Sequence, residues 1–252
     1  MQQLKPESRI WITGAGSGIG KALVERLAAE GHQLVITART SASLEDLAQL
    51  SEERILAAPA DVTQLSELQE VAKKVEEHLG GLDMVILNAG TCEYLDDGQV
   101  DAALVRRVME TNFMGLVNTL EVAQPLLKNS AHPYLVAISS AAAYSPLPRA
   151  EAYGASKAAV SYFMESLRVD LAAKGVGVSV VYPGFVKTPL TDRNDFPMPM
   201  RISAEQAAAD IVAGLKKGQP EIRVPRLFVA MLRRLGRLPF FIRTRLTQRM
   251  VR

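Results

Sequence analysis

The stretch that most narrows what this chain can become is S-R-I-W-I-T followed without a break by G-A-G-S-G-I-G, residues 8 to 20. The first six residues are an apolar run rich in β-formers, and the segment from Gly20 to about Gly31 has the spacing of a helix. A strand that turns through glycines straight into a helix is the opening unit of a doubly wound α/β fold. Gly14, Gly18 and Gly20 let the backbone turn sharply and approach a pyrophosphate, whose charge is met by the amides at the helix N-terminus. The spacing is G-x-x-x-G-x-G rather than the commoner G-x-G-x-x-G. A purely structural turn is the competing explanation, and the flanking strand and helix weigh against it.

The same alternation recurs down the chain. Further strands are predicted at Gln33–Ala38, Arg54–Pro59, Asp83–Leu87, Tyr134–Ser139 and Val176–Val181, each separated from the next by a helical segment, with Glu221–Val224 as a seventh. Asp83–Leu87 is apolar after its first residue, as a parallel strand buried on both faces should be. The fold class that follows is α/β, a doubly wound parallel sheet of about seven strands with helices on both faces. Ser41 or Ser43 is expected to cap the second helix, with Leu44, Leu47 and Leu50 facing inward. Leu65, Leu68, Val71, Val75 and Leu79 mark a third helix, which Gly80 and Gly81 end. Ser203 and Gln206 form a capping box for a late helix. A long helical segment from about Gln99 to Leu127 carries Asn112 in its middle, where asparagine competes for backbone hydrogen bonds and favours a kink or a special role.

With 252 residues and 48% apolar content the chain can bury one sizeable core. The core domain is expected over residues 1–225, with a basic amphipathic extension at 226–252. Cys92 is the only cysteine, so no internal disulfide forms, and no N-terminal run has the length of a signal peptide. A cytoplasmic location is expected. No apolar run of about 18 residues spans a membrane. His32, His78 and His132 stand far apart, and no metal site is expected.

The chemistry concentrates between Ser140 and Lys157, at the carboxyl end of the fifth strand, where open α/β sheets bind ligands. Tyr153 and Lys157 are four residues apart on a predicted helix, so their side chains lie on one face. Free tyrosine titrates near ~10. A lysine cation at ~4 Å supplies about 4 kcal/mol at an effective dielectric of ~20, enough to bring a phenol toward neutrality. Y-x-x-x-K alone arises too easily by accident to carry weight, so its upstream company matters. Arg39 follows the second strand, where a Rossmann fold meets the adenosine ribose. An acid would receive the hydroxyls of NAD there, whereas Ala38 and Arg39 suit the 2′-phosphate of NADP. Asp61 fits either an adenine contact or a helix-capping turn. Asn88-Ala89-Gly90 fits either a close backbone approach to a ligand or a plain turn. Residues 185–202, with prolines at 189, 197 and 199, have no helical period and read as a mobile apolar substrate loop or an ordinary surface loop.

With these residues in view, the chain resembles the short-chain dehydrogenase/reductase family over about residues 8 to 225. T-G-A-G-S-G-I-G at 13 to 20, D-V at 61, N-A-G at 88, Asn112, Ser140, Tyr153, Lys157 and P-G at 183 stand in that family's order and spacing. The resemblance implies that Tyr153 exchanges a proton with the substrate oxygen, that Ser140 holds that oxygen, and that Lys157 binds the nicotinamide ribose and lowers the phenol's pKa. It implies that Asn112 holds a water linking Lys157 to solvent. Gly14, Ser17, Gly18 and Ile19 would line the pyrophosphate, Asp61 and Val62 the adenine, and Asn88, Ala89 and Gly90 the adenosine side. Pro183, Gly184, Val186 and Thr188 would line the nicotinamide end. Many NADP-dependent members carry a basic residue in the glycine turn, where this chain has Ser17, so the NADP expectation rests on Arg39 and Ala38, with NAD as the alternative cofactor. A homodimer or homotetramer and a small carbonyl or alcohol substrate are implied. The reading is an NADP-dependent oxidoreductase acting on an apolar or lipid-like substrate, against a cofactor-binding sensor without turnover.

The tail stands apart from that pattern. Nine arginines and one acid fall after residue 220, so the last 32 residues carry a net +8 and the first 220 a net −6, against +2 for the chain. On a helix, Leu227, Phe228, Met231, Leu232, Leu235 and Leu238 fall within an arc of about 140°, and Arg226, Arg233, Arg234 and Arg237 within about 100° opposite. Packing against the core or a second subunit explains the stripe. A face charged only by arginine is what peripheral contact with an anionic membrane needs. A nucleic-acid partner is not expected, because the arginines alternate with Leu, Phe and Met.

Overall fold

Apolar runs short enough for strands and bounded by turns become one sheet buried on both faces. In the computed structural model, which describes residues 2–249, the strands are β1 (Arg9–Thr13), β2 (Gln33–Thr37), β3 (Ile55–Ala57), β4 (Met84–Leu87), β5 (Tyr134–Ile138), β6 (Gly177–Pro183) and β7 (Glu221–Val224). All pair in parallel, in the order β3-β2-β1-β4-β5-β6-β7. Every strand expected from the sequence is present, with no end shifted by more than two residues. The helices are α1 (Gly18–Ala29), α2 (Ser41–Ala48), α3 (Leu65–Leu79), α4 (Ala102–Met109), α5 (Gly115–Ala123), α6 (Glu151–Ala172), α7 (Ala204–Lys216), α8 (Arg226–Gly236) and α9 (Phe240–Gln248). No described helix is long and apolar enough to cross a membrane.

Two cores lie on opposite faces of the sheet. On one, Leu23 and Leu27 of α1 meet Leu44 of α2 and Ile211 and Leu215 of α7. On the other, Leu68 and Val75 of α3 pack with Leu116 of α5, Val160 and Met164 of α6, and Phe228 and Val229 of α8. Several local signals resolve differently from expectation. The N-cap of α2 is Thr40, not Ser41 or Ser43, and the helix ends at Ala48, so Leu50 lies beyond its last turn and is 56% exposed. Gly80 does end α3 in the left-handed region, with φ 66°. Ser203 accepts from the Gln206 amide nitrogen, but the Gln206 side chain turns to Asp210, so the capping box is only half made. The long central segment breaks at Asn112 into α4, a π-turn over Glu110–Met114, and α5.

Asp83 ties the start of β1 to β4. It accepts from Arg9 Nε at 3.0 Å and Nη2 at 2.9 Å, from the Arg9 backbone amide at 3.0 Å, and from Ser130 Oγ at 2.7 Å. Burial pushes this carboxyl up, but the hydrogen bonds and charge of Arg9 with the Ser130 hydroxyl outweigh it and hold the group at about 2. A carboxylate held below its unfolded value stabilises the fold above roughly pH 4 and loses that contribution as the pH falls toward 2. Asp83→Asn is therefore expected to be less stable than wild type at neutral pH and to lose less between pH 4 and 2. Urea midpoints across that range check this, and parallel curves would leave the pair without net effect.

Candidate active site

The sheet order changes direction between β1 and β4, and the cleft that opens outside their carboxyl ends has a volume of about 480 Å³. Its floor is the glycine turn. Gly14 has φ 65°, and a Cβ there would sit 2.7 Å from Ala89 Cα; one on Gly20 would sit 2.1 Å from the Gly14 carbonyl oxygen. Only glycine fits either place. Asn88 pins this turn, its Nδ2 donating to the Gly14 carbonyl at 2.9 Å and the Thr13 carbonyl at 3.2 Å, while Thr13 Oγ1 accepts from the Asn88 and Ala89 amides. Ser17 is the N-cap of α1, exposed, and its side chain makes no cap bond to its own helix. Gly18 lies under Thr188, whose Cγ2 would be 2.9 Å from a Cβ, which brings the turn face to face with the segment after β6.

At the β2 end, Arg39 is exposed on the cleft wall, and no described residue pairs with it. Thr40, Ser43 and Gly16, none of them expected at the site from the sequence, line the same corner, and a Cβ on Gly16 would lie 2.5 Å from Ser43 Oγ. Asp61 lines the cleft with Val62, and its Oδ1 accepts from the Thr63 amide and hydroxyl at 2.9 Å in the turn before α3, whose N-cap is Gln64 rather than Asp61.

At the other end α6 delivers Tyr153 and Lys157 into the cleft, beside Ser140 and Gly90. Ser139 and Ser140 have different tasks. Ser139 Oγ donates to the Lys157 carbonyl at 2.9 Å and meets Ser161 Oγ at 2.8 Å, stapling β5 to α6. Ser140 caps the short turn Ala141–Ala143, and its hydroxyl stands by the phenol of Tyr153. Burial and the nearby Cys92 push that phenol up to about 12, and Ser140 only partly offsets them. The lowering expected from Lys157 does not prevail. Its Nζ lies 5.9 Å from the ring centroid and donates to the Ile138 carbonyl at 2.9 Å, while burial brings the ammonium itself down to about 8. The pair therefore presents a protonated phenol beside a readily deprotonated lysine.

Asn112 is almost wholly buried in the π-turn. Its Oδ1 accepts from the Thr91 amide at 2.7 Å, and its Nδ2 donates to the Thr91 carbonyl and to Ser156 Oγ, both at 2.9 Å. Ser156 Oγ in turn donates to the Tyr153 carbonyl at 2.7 Å. The side chain so ties the loop after β4 to the first turn of α6, and a Cβ on Gly90 would lie 3.1 Å from Asn112 Oδ1 and 3.4 Å from Lys157 Nζ. Thr91 and Ser156 were not anticipated; they become visible only once Asn112 is known to face them.

The segment after β6 is closed at its base, where Val186 pairs with Ile202. Pro183, Gly184, Val186 and Thr188 line the cleft with Leu190. Behind them α8 presses on Gly184, where a Cβ would be 2.5 Å from Phe228 Cδ1, and the Phe228 ring lies 5.1 Å from that of Phe185. Arg233 stacks 5.7 Å from the Tyr144 ring centroid and donates to Glu221 at 3.0 Å. The tail's apolar stripe is thus divided: Phe228 is buried, with Val229 beside it, while Leu227 and Met231 are exposed by 63 and 46%, as are Phe240 and Phe241 beyond it by 73 and 72%.

A model of the short chain dehydrogenase family matches residues 8–196. An uncharacterized oxidoreductase of Myxococcus xanthus is 36% identical over 217 residues, covering 85% of this chain and 86% of the relative. An 11-beta-hydroxysteroid dehydrogenase 1A of Arabidopsis thaliana is 33% identical over 210 residues, covering 81% of this chain and 60% of the relative. Among solved structures, a short chain dehydrogenase of Burkholderia cenocepacia in complex with NADP superposes with a TM-score of 0.83 at 25% identity, covering 99% of this chain and 100% of the other.

Proposed function

The chain belongs to the short-chain dehydrogenase family and is an oxidoreductase, and from that premise we propose that it interconverts a ketone or aldehyde with an alcohol, using NADP. The observation that carries this is the phenol of Tyr153 at the cleft with Ser140 beside it and Lys157 one turn below. The glycine cradle fits a dinucleotide, because a Cβ at Gly14 or Gly20 would fill the space the backbone leaves. Gly14, Ser17, Gly18 and Ile19 would hold the pyrophosphate, Asp61 and Val62 the adenine, and Arg39 the 2′-phosphate. When bound, the nicotinamide supplies or accepts the hydride.

The chain's own groups manage the oxygen and its proton. Tyr153 Oη donates to the carbonyl oxygen as charge develops there, and Ser140 holds that oxygen in place. A phenol held at about 12 keeps its proton at neutral pH, which suits the reductive direction. Lys157, brought down to about 8, still carries its proton at neutral pH and can return one to the phenolate, and Asn112 fixes the helix turn that carries both. A sensor that only bound the cofactor would have no use for this phenol. A screen of carbonyls of rising chain length, following NADPH absorbance, tests the reading; tight NADPH binding with no oxidation by any of them would favour the sensor.

The exposed part of the tail supports peripheral attachment to an anionic membrane. α8 seats its inner residues on the core, yet Leu227, Met231, Phe240 and Phe241 remain in water, and every charge described after Glu221 is an arginine. Such attraction should be about 1 kcal/mol per arginine near the surface and fade with salt. The full chain should pellet with anionic but not neutral vesicles at low salt, and Phe240→Ser/Phe241→Ser should remain largely in solution; equal behaviour would return the tail to packing alone. A homodimer or homotetramer is supported by Tyr162 and Val169, 78 and 76% exposed and two turns apart on one face of α6.

A further inference from the structure

Arg149, four residues before Tyr153, sits at φ 65°, a backbone conformation that residues with a side chain rarely adopt. Such strain persists where the surroundings over-determine it, and it gathers at ligand clamps. Here the surroundings are three segments that frame the substrate side of the cleft: residues 91–98 after β4, the turn before α6, and residues 185–202 after β6. Arg149 Nε donates to Asp96 Oδ1 at 2.6 Å and Nη1 to Asp195 Oδ1 at 2.6 Å. Its guanidinium lies 5.2 Å from the ring centroid of Tyr94, and its carbonyl accepts from the Leu95 amide at 3.2 Å. Tyr94 completes the link, its hydroxyl donating to Asn194 Oδ1 at 2.7 Å and its ring meeting Phe196 edge-on at 5.8 Å.

We infer that Arg149 and Tyr94 form a latch that closes the 185–202 segment over Tyr153, and that Arg149 is a positioning residue for the substrate. This rests on the carbonyl-reducing reading of the site. An arginine suits the place because its planar fork serves two carboxylates on two loops while its face stacks on the phenol ring. The latch is also built to open. Asp96 and Asp195 are 66 and 68% exposed, and ion pairs in water are weak and screened by salt. The base of the segment is held by contacts that salt does not screen: Val186 pairs with Ile202, and Phe185 leans on Phe228 of α8. Opening is therefore expected as a swing about that base, with the tip near Asp195 moving most.

The test is limited trypsin digestion of the full chain with NADPH present, scored by mass at the bond after Arg193, which is exposed in the tip of the segment. Arg149→Gln should be cut there about fivefold faster than wild type, the size one well-made exposed ion pair carries. Asp96→Asn and Asp195→Asn should each give part of that gain, and neither should add fully to Arg149→Gln. Raised ionic strength should narrow the difference between wild type and Arg149→Gln. With a substrate in hand, Arg149→Gln should lose kcat/KM mainly through KM, keep the wild-type pH profile of kcat, and be partly rescued by Arg149→Lys. Cleavage at the wild-type rate in Arg149→Gln would overturn the latch. If that variant melts early, Asp96→Asn decides, because unchanged melting with wild-type cleavage overturns it too. Cleavage needs no turnover, so the latch and the catalytic reading can fail separately.

Discussion

Tyr153→Phe is expected to lose turnover by about a hundred- to ten-thousandfold while binding NADPH as wild type does. The substitution removes one oxygen from a ring whose packing on α6 stays the same, and a positioned proton donor contributes roughly 10²–10⁴-fold to such a step. The neighbouring polar groups are already engaged elsewhere. The Ser140 hydroxyl caps the following turn and accepts from the Ala142 amide at 3.1 Å, and Lys157 Nζ is held by the Ile138 carbonyl. Fluorescence titration with NADPH and single-turnover kinetics separate binding from chemistry. A variant that keeps a tenth of wild-type turnover would remove Tyr153 from the mechanism.

Arg39→Asp should move cofactor preference from NADPH toward NADH by about ten- to a hundredfold. A charge-assisted hydrogen bond to the 2′-phosphate is worth roughly 1.5–3 kcal/mol, and the carboxylate adds a like-charge clash with phosphate while gaining the ribose hydroxyls. Arg39 is exposed and lies outside both cores, so the fold should not register the change. Equal thermal midpoints would establish that. The measurement is the ratio of NADPH to NADH dissociation constants in the two proteins, and a wild type that binds both equally would end the assignment. Thr40 and Ser43 in the same corner are the natural second substitutions if the shift is small.

Local features were the ones legible in the residues alone. Strands buried on both faces must be apolar throughout, so β1, β2, β4, β5 and β6 were legible as runs. The glycine turn was legible because Gly14 and Gly20 sit where no Cβ fits, and Tyr153 with Lys157 because four residues on a helix place two side chains on one face. Asn112 announced a break in its helix, but not that the break would be a π-turn spanning Thr91 to Ser156. Periodicity marks which face of a helix is apolar and is silent on what covers it. That is why the tail's single stripe divided into a seated part at Phe228 and an exposed part at Leu227 and Met231, and why Leu50 turned outward past the end of α2. Tertiary structure also decided the sign of the Tyr153 shift. The spacing with Lys157 argued for a lowered phenol, but desolvation depends on everything packed around the group, and burial with the nearby Cys92 pushes it up instead. Arg149 left no trace in the sequence at all, because its partners Asp96 and Asp195 lie 53 and 46 residues away, and a contact between distant loops has no local period to betray it.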